Sequence, residues 1–242
     1  MGNRKKPPII IQGLTDRYQQ IVDYYKDYEC VWVTWNTQPK EYLDQIDLQP
    51  NITLITLDPP KLKYKKHYGM YVWIATLKGF EYLKKKGYDF GIRVRSDFLI
   101  DIPQVLKLTK YDHFNCFGWD TGSVGYLCDY YFSGPVDKII ELMKACIDID
   151  SESHAENIMT YAILEVVKWR DINYTLTDET KFKWLKMGVD EQHYMQHVRN
   201  NTWYNTTDRL QISRFVRYEF KKDNFPNDYH LTYKEGPQYE RL

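Results

Sequence analysis

The charged residues of segment 87–101, GYDFGIRVRSDFLID, carry the clearest chemistry in the sequence. An apolar alternation that begins at Phe90 predicts a strand with Arg93, Arg95 and Asp97 on its opposite face. Burying two guanidinium groups and a carboxylate costs free energy unless they are partnered or used. A site for a divalent metal and a diphosphate would use all three. The alternative is an Arg95–Asp97 ion pair with a structural role only.

Composition limits the classes of protein to which this chain can belong. Its 242 residues can bury a sizeable core, and 33 basic residues balance 33 acidic ones. A net charge of zero gives no argument for nucleic acid or a membrane surface as partner. No apolar run is long enough for a membrane span or a secretion signal, so we expect a cytoplasmic protein without a membrane span. The four cysteines are widely spaced, which favours free buried thiols over disulfides.

Strand and helix patterns alternate through the first half of the chain. The sequence predicts strands at 7–14, 31–34 and 52–57, then the strand that carries Arg93, and helices up to residue 28, at 41–46 and at 68–86. This order predicts an α/β fold with a mostly parallel sheet and right-handed crossovers. Ligands of such sheets bind beyond the carboxyl ends of the strands.

Four polar segments follow the predicted strands and should meet at that edge. They are Gln12-Gly13-Leu14-Thr15, Thr34-Trp35-Asn36, Asp58 and Arg95-Ser96-Asp97. The first strand is not followed by GxGxxG, and GxxxxGK[ST] does not occur in the sequence. A nucleotide would therefore have to be bound by other means than a dinucleotide fingerprint or a P-loop.

The order of these motifs resembles a known family. The series IIIQGLTDRY, CVWVTWNT, ITLDPP, a helix and IRVRSDFLI is similar to the amino-terminal half of WavE-type lipopolysaccharide-synthesis glycosyltransferases, over about residues 8–101 and loosely to FSGP at 132–135. The resemblance implies a GT-A fold, which is Rossmann-related, in a single domain at 1–214. Its nucleotide-sugar half would span 7–101 and its acceptor half 102–214, with 215–242 a peripheral extension.

The resemblance also implies roles for individual residues. Of the candidate donor-binding residues, Gln12, Gly13, Thr34 and Trp35 match the nucleotide-contacting turns of the family. Leu14, Asn36, Asp58 and Ser96 are candidates because they lie beyond the strand ends, and Arg93 and Arg95 because they could contact phosphate. Asp97 matches the acidic motif that holds Mn²⁺ or Mg²⁺. That motif is Arg-Ser-Asp here rather than Asp-x-Asp, so the metal depends on one carboxylate, with Asp101 as a possible helper. Trp35 either stacks on the base or packs in the core.

The second half of the chain supplies candidates for the acceptor side. Segment 117–125 is rich in glycine and predicts a loop at the cleft or a simple turn. Asp129 is a candidate general base, and its alternative is a local pairing or capping role. Glu156 opens a later helix as a capping-box acid or as the rival base. His193 and His197 would share one helix face and are weak candidates for further metal ligands.

Two classes of function follow from these patterns. The first is a metal-dependent glycosyltransferase that moves a sugar from a nucleotide-sugar donor to a glycan or polysaccharide acceptor. The second is a non-catalytic GT-A-like module that binds a nucleotide or sugar, which the incomplete acidic motif favours. A sugar nucleotidyltransferase is a third reading, against which the missing glycine-rich activation loop argues. The donor, the acceptor and the stereochemical outcome stay open.

Overall fold

Strands and helices alternate in the first hundred residues, as the sequence predicts. The computed structural model of the chain describes residues 6–62, 69–97, 99–120, 125–149, 155–169, 171–177, 195–196 and 198–204. The first elements are β1 (Ile9–Gln12), α1 (Tyr18–Tyr25), β2 (Cys30–Trp35), α2 (Lys40–Asp47), β3 (Ile52–Leu57), α3 (Gly69–Lys85) and β4 (Phe90–Arg95). Each apolar run that predicts a strand in this half forms one.

The second half adds strands of mixed direction. Its elements are β5 (Leu99–Ile100), α4 (Ile102–Leu108), β6 (Phe114–Asp120), β7 (Gly125–Pro135), α5 (Val136–Asp148), α6 (Ala155–Tyr161), β8 (Ile172–Thr177), β9 (Met195–Gln196) and β10 (Val198–Tyr204). A π-helical turn, Ala162–Val166, continues α6. Segment 117–125 is predicted as a loop or a turn, and the loop is wrong for 117–120 and 125, which lie in β6 and β7, where Gly118 and Trp119 pair with Leu127 and Tyr126. Residues 121–124 lie outside the described residues.

One sheet collects strands from both halves of the chain. Its eight strands lie in the order β10-β8-β6-β7-β4-β1-β2-β3, and β5 pairs with β9 separately. The pairs β1–β2, β2–β3, β1–β4 and β6–β8 are parallel. The pairs β4–β7, β6–β7 and β8–β10 are antiparallel. The chain therefore has an α/β fold with a mostly parallel mixed sheet, consistent with a Rossmann-like arrangement.

Helices cover both faces of this sheet. One apolar core joins Ile10 and Val33 to side chains of α3, α5 and α6. The other joins Ile9 and Ile11 to side chains of α1, α2 and α4. Because both faces of β1 are covered, its three isoleucines are fully buried, as is usual for a parallel strand at the centre of a sheet.

The position of the helices creates a switch point between β1 and β4. The chain leaves β1 through α1 and α2 on one face, then returns through α3 on the other face to β4, on the opposite side of β1. In open α/β sheets the crevice for a ligand lies at such a reversal, outside the carboxyl ends of the strands. The fold therefore directs attention to the residues that follow β1 and β4.

Two further sequence predictions can be compared with the described residues. Cys30, Cys116 and Cys146 are buried free thiols, which confirms the prediction for these three cysteines. Burial raises the pKa of the Cys30 thiol to about 12. Within the part of the chain that the structure describes, every helix is too short or too polar to cross a membrane.

Candidate functional site

The ends of β1 and β4 approach each other closely at the switch point. The amide of Ser96 donates to the carbonyl of Gln12 over 2.9 Å, and the amide of Gly13 donates to the carbonyl of Val33 over 3.3 Å. Gly13 has a φ of +138°, and a Cβ at this position would collide with the hydroxyl of Ser96. Since only glycine adopts this backbone freely, Gly13 permits the close approach of the two strand ends.

Arg93 lies beneath these strand ends and is completely buried. Its guanidinium donates to the side-chain oxygen of Gln12 and to the backbone carbonyl of Asp129. The guanidinium also lies 5.2 Å from the ring centroid of Phe132. These contacts connect β1, β4 and β7, so Arg93 and Gln12 form a buried polar support under the edge of the sheet.

Arg95 stands at the edge itself, between two carboxylates. Its Nε donates to Oδ1 of Asp97 over 2.9 Å and its Nη2 to Oδ2 over 2.6 Å, which is a bidentate pair. Its Nη1 donates to Oδ1 of Asp129 over 3.2 Å. The guanidinium also lies 5.2 Å from the ring centroid of Tyr130. The ion pair that the sequence offered as the structural alternative is thus present, extended by Asp129 and Tyr130.

The electrostatics of this cluster keep Arg95 charged. Burial opposes the charge of the guanidinium, but the carboxylates of Asp129 and Asp97 outweigh burial and raise the pKa of Arg95. Exposure distinguishes the two carboxylates, because the side chain of Asp97 is 28% exposed and that of Asp129 only 4%. Asp97 is therefore the carboxylate that a ligand reaches from solvent.

Few side chains of this cluster could act as ligands of a metal ion. Among the described residues there is no group of three or more His, Cys, Asp or Glu side chains that could hold a metal ion. The two oxygens of Asp97 offer about four lone-pair positions, and the bidentate contact with Arg95 uses two of them. Mg²⁺ is commonly held by one or two carboxylates, phosphate oxygens and water. Once released from Arg95, Asp97 would thus suit a cation that a bound diphosphate holds as well.

Asp101, the possible helper of Asp97, has another neighbour. Burial, and to a smaller extent the charge of Asp101, raise the pKa of Tyr24, near the carboxyl end of α1, to about 12. Asp101 directly precedes α4, on the face of the sheet that α1 and α2 cover. Its charge is therefore felt at α1, and its role as a second metal ligand stays a prediction.

The ends of β2 and β3 meet through polar side chains. The Nδ2 of Asn36 donates to Oδ1 of Asp58, and both residues are near the surface. Thr34 is fully buried, and Trp35 packs in the core with its ring 4.9 Å from that of Tyr71. The structure thus shows Trp35 in the packing role that the sequence gave as its alternative.

The turn after β1 presents one exposed apolar residue. Leu14 is 50% exposed, and the following Thr15 is fully buried. The amide and hydroxyl of Thr15 donate to the side-chain oxygen of Gln38 over 3.0 and 3.2 Å. This contact fixes the turn after β1 against the turn after β2, so Leu14 is presented at a defined position.

The remaining predicted site residues lie wholly or partly outside what the structure describes. Glu156 is the second residue of α6, and its side chain is outside what the structure describes. His193, His197 and the extension at 215–242 also lie outside the described residues. Sequence reasoning did not single out Tyr130 or Gln38. Tyr130 had a usable signal, since it adjoins the candidate base Asp129.

No protein-family model matches the chain, and no curated protein matches it. A functional assignment therefore depends on the geometry of the cluster and on the sequence motifs.

Proposed function

We propose that the chain is a metal-dependent glycosyltransferase with a GT-A-type arrangement, which binds a nucleotide-sugar across the carboxyl ends of β1 to β4. One observation carries this proposal. Arg95, Asp97 and Asp129 form a charged cluster at the switch point of the sheet, where open α/β folds bind ligands. The cluster is partly open to solvent at Arg95 and Asp97, and charged groups that perturb one another in this way are candidates for a functional site.

The rest of the edge suits an elongated ligand. The strand order β3-β2-β1-β4 brings the residues that follow these strands to one edge of the sheet, among them Asp58, Asn36, Leu14 and Asp97. Three strand spacings give this edge a length of roughly 14 Å. The exposed Leu14 offers an apolar contact near its middle, and Asp97 with Arg95 offers charge at the β4 end. A nucleotide-sugar, with a flat base, a charged diphosphate and a polar sugar, has matching parts.

The reaction would break the bond between the sugar carbon and the diphosphate oxygen and form a bond from that carbon to an acceptor hydroxyl. Asp97 would hold the divalent cation, which when bound stabilises the leaving diphosphate as a Lewis acid. A base must take the proton of the acceptor hydroxyl if the transfer inverts the sugar carbon. Asp129 and Glu156 are the candidates, and Asp129 would receive that proton beside Arg95.

The test is turnover of nucleotide-sugars. Purified protein is incubated with UDP-, GDP- and dTDP-sugars and MnCl₂, and release of the nucleoside diphosphate is followed. We expect release from one nucleotide class, abolished by EDTA and by Asp97→Ala but kept by Asp44→Asn. Asp44 is a suitable control because it loses the same charge from an exposed pair with Lys40. If the protein neither binds any of these nucleotide-sugars nor releases a nucleoside diphosphate from them, the proposal is overturned.

A second candidate function has an observation of its own. In the described structure Arg95 engages the carboxylates of both Asp97 and Asp129, which favours a non-catalytic module that binds a nucleotide or sugar. Such a module would bind a nucleotide-sugar without releasing a nucleoside diphosphate. Comparing binding with release in the same samples separates the two functions.

A further inference from the structure

The cluster at the end of β4 contains both kinds of group that a metal–diphosphate complex needs, and they are bound to each other. Arg95 has the forked donors that suit phosphate, and Asp97 has the oxygens that suit a hard divalent cation. In the structure the Nε and Nη2 of Arg95 are engaged by the two oxygens of Asp97 at 2.9 and 2.6 Å. Each residue therefore occupies the atoms with which the other would bind a ligand.

We infer that Arg95 and Asp97 mask each other in the free protein and that a nucleoside diphosphate and a divalent cation unmask them together. This inference rests on the proposed function and concerns the regulation of the same site. A phosphate oxygen on Arg95 replaces the carboxylate of Asp97 and frees Asp97 to ligate the cation. When either ligand binds alone, its binding energy must offset the whole free energy of breaking the Arg95–Asp97 pair. When both bind, the pair is broken once and the two ligands offset that free energy together. The two ligands therefore bind with positive cooperativity.

Other contacts of the cluster make this exchange physically reasonable. The Nη1 of Arg95 keeps its contact with Asp129 at 3.2 Å, and the guanidinium keeps its position over Tyr130. Arg95 thus stays in place when Asp97 departs. The exposed fractions, 23% for Arg95 and 28% for Asp97, show that both partners of the pair meet solvent.

The inference predicts a gain of binding from the loss of a site residue. Asp97→Asn removes the charge that occupies Arg95, so nucleoside diphosphate without metal should bind more tightly than to the original protein. A coupling in the range common between two sites corresponds to at least about fivefold in Kd. Arg95→Gln should likewise tighten the binding of Mn²⁺ without nucleotide by about fivefold or more. A site in which Arg95 and Asp97 only support the fold shows neither gain.

Isothermal titration calorimetry tests both predictions. UDP, GDP and dTDP are titrated in EDTA into the original protein, Asp97→Asn and the control Asp44→Asn, and then again with MnCl₂. MnCl₂ alone is titrated into the original protein and Arg95→Gln. Circular dichroism and thermal unfolding check that each variant folds, and Asp97→Ala replaces Asp97→Asn if that variant does not.

Each outcome has a distinct meaning. Tighter metal-free nucleotide binding in Asp97→Asn but not in Asp44→Asn, with tighter Mn²⁺ binding in Arg95→Gln, supports mutual masking. If the original protein binds a nucleotide with Mn²⁺ and neither variant gains affinity, mutual masking is wrong and the proposed function stands. If no nucleotide binds to any of these proteins with or without Mn²⁺, both fail.

Discussion

The glycine at the end of β1 allows a direct test of the geometry at the switch point. Gly13 has a φ of +138°, and an added Cβ would collide with the hydroxyl of Ser96. The backbone conformation alone costs a non-glycine residue roughly 1–3 kcal/mol. The collision adds roughly 1–3 kcal/mol in a packed environment. We therefore expect Gly13→Ala to lower the free energy of unfolding by about 3 kcal/mol, in the lower half of the combined range.

Gly87 supplies the matched control for this substitution. Its φ is +77°, and a Cβ there would meet no atom within 4 Å. Gly87→Ala therefore measures the backbone cost without a collision, about 1–2 kcal/mol. At roughly 2–4 °C per kcal/mol for a chain of this size, Gly13→Ala should lower the Tm by about 6–12 °C and Gly87→Ala by about 2–8 °C.

A double-mutant cycle isolates the contact with Ser96. Ser96→Ala removes the hydroxyl, and the atoms that remain near an added Cβ are the Ser96 Cβ at 3.4 Å and its amide nitrogen at 3.5 Å, which are ordinary contacts. In the Gly13→Ala background, Ser96→Ala should therefore restore about 1 kcal/mol or more of the lost stability. Urea unfolding of the four proteins gives the coupling. A cost of Gly13→Ala equal to that of Gly87→Ala, with no coupling to Ser96, would refute the close approach of β1 and β4.

Three further predictions concern stability. Arg93→Met leaves the carbonyl of Asp129 and the side chain of Gln12 without their buried donor. It should lower the free energy of unfolding, measured in urea, by about 3 kcal/mol or more. A loss of less than about 1 kcal/mol would contradict this role of Arg93. Trp35→Phe should lower the Tm by a few degrees because the Trp35 ring packs on Tyr71, and it should leave the Kd for nucleotide unchanged. An unchanged Tm together with weaker nucleotide binding would instead place Trp35 in the donor site. The pKa of Cys30 rises from 9.0 to about 12 on folding, so its contribution to stability is complete below pH 9 and is lost as the pH rises towards 12. Urea unfolding between pH 8 and 11 should show this loss, and Cys30→Ala should reduce its slope.

Much of the first half of the fold could be predicted from the sequence because its signals are local. The run Ile52–Leu57 is a strand with the predicted bounds, and the helix predicted at 68–86 is observed as Gly69–Lys85. Parallel strands buried on both faces consist of short, nearly continuous apolar runs, which are visible without knowledge of their partners. The antiparallel strands β6 and β7 gave a weaker signal. Glycines within them resemble turn residues, so part of this hairpin was predicted as a loop.

The candidate site was predictable in its location but not in its pairing. The alternation of residues along β4 correctly placed Arg93 and Arg95 on one face, and the order of the strands placed Arg95 near Gln12. The pair between Arg95 and Asp97 is local and was foreseen as an alternative. The contacts of Asp129 with both arginines span 34 and 36 residues and depend on the register of β4 against β7. That register cannot be predicted from a local sequence pattern, because it depends on residues far apart in the chain.

The measurement that tests the central proposal most directly is thermal unfolding with nucleotide-sugars. The original protein and Asp97→Ala are heated with UDP-, GDP- and dTDP-sugars, each with and without MnCl₂. A ligand at a hundred times its Kd stabilises the folded protein by roughly 2.7 kcal/mol. For a chain of this size that is a rise in Tm of about 5–11 °C. We predict this rise for one nucleotide class with MnCl₂ and its loss in Asp97→Ala. An unchanged Tm with every nucleotide-sugar would contradict the assignment of the β1–β4 edge as a donor site.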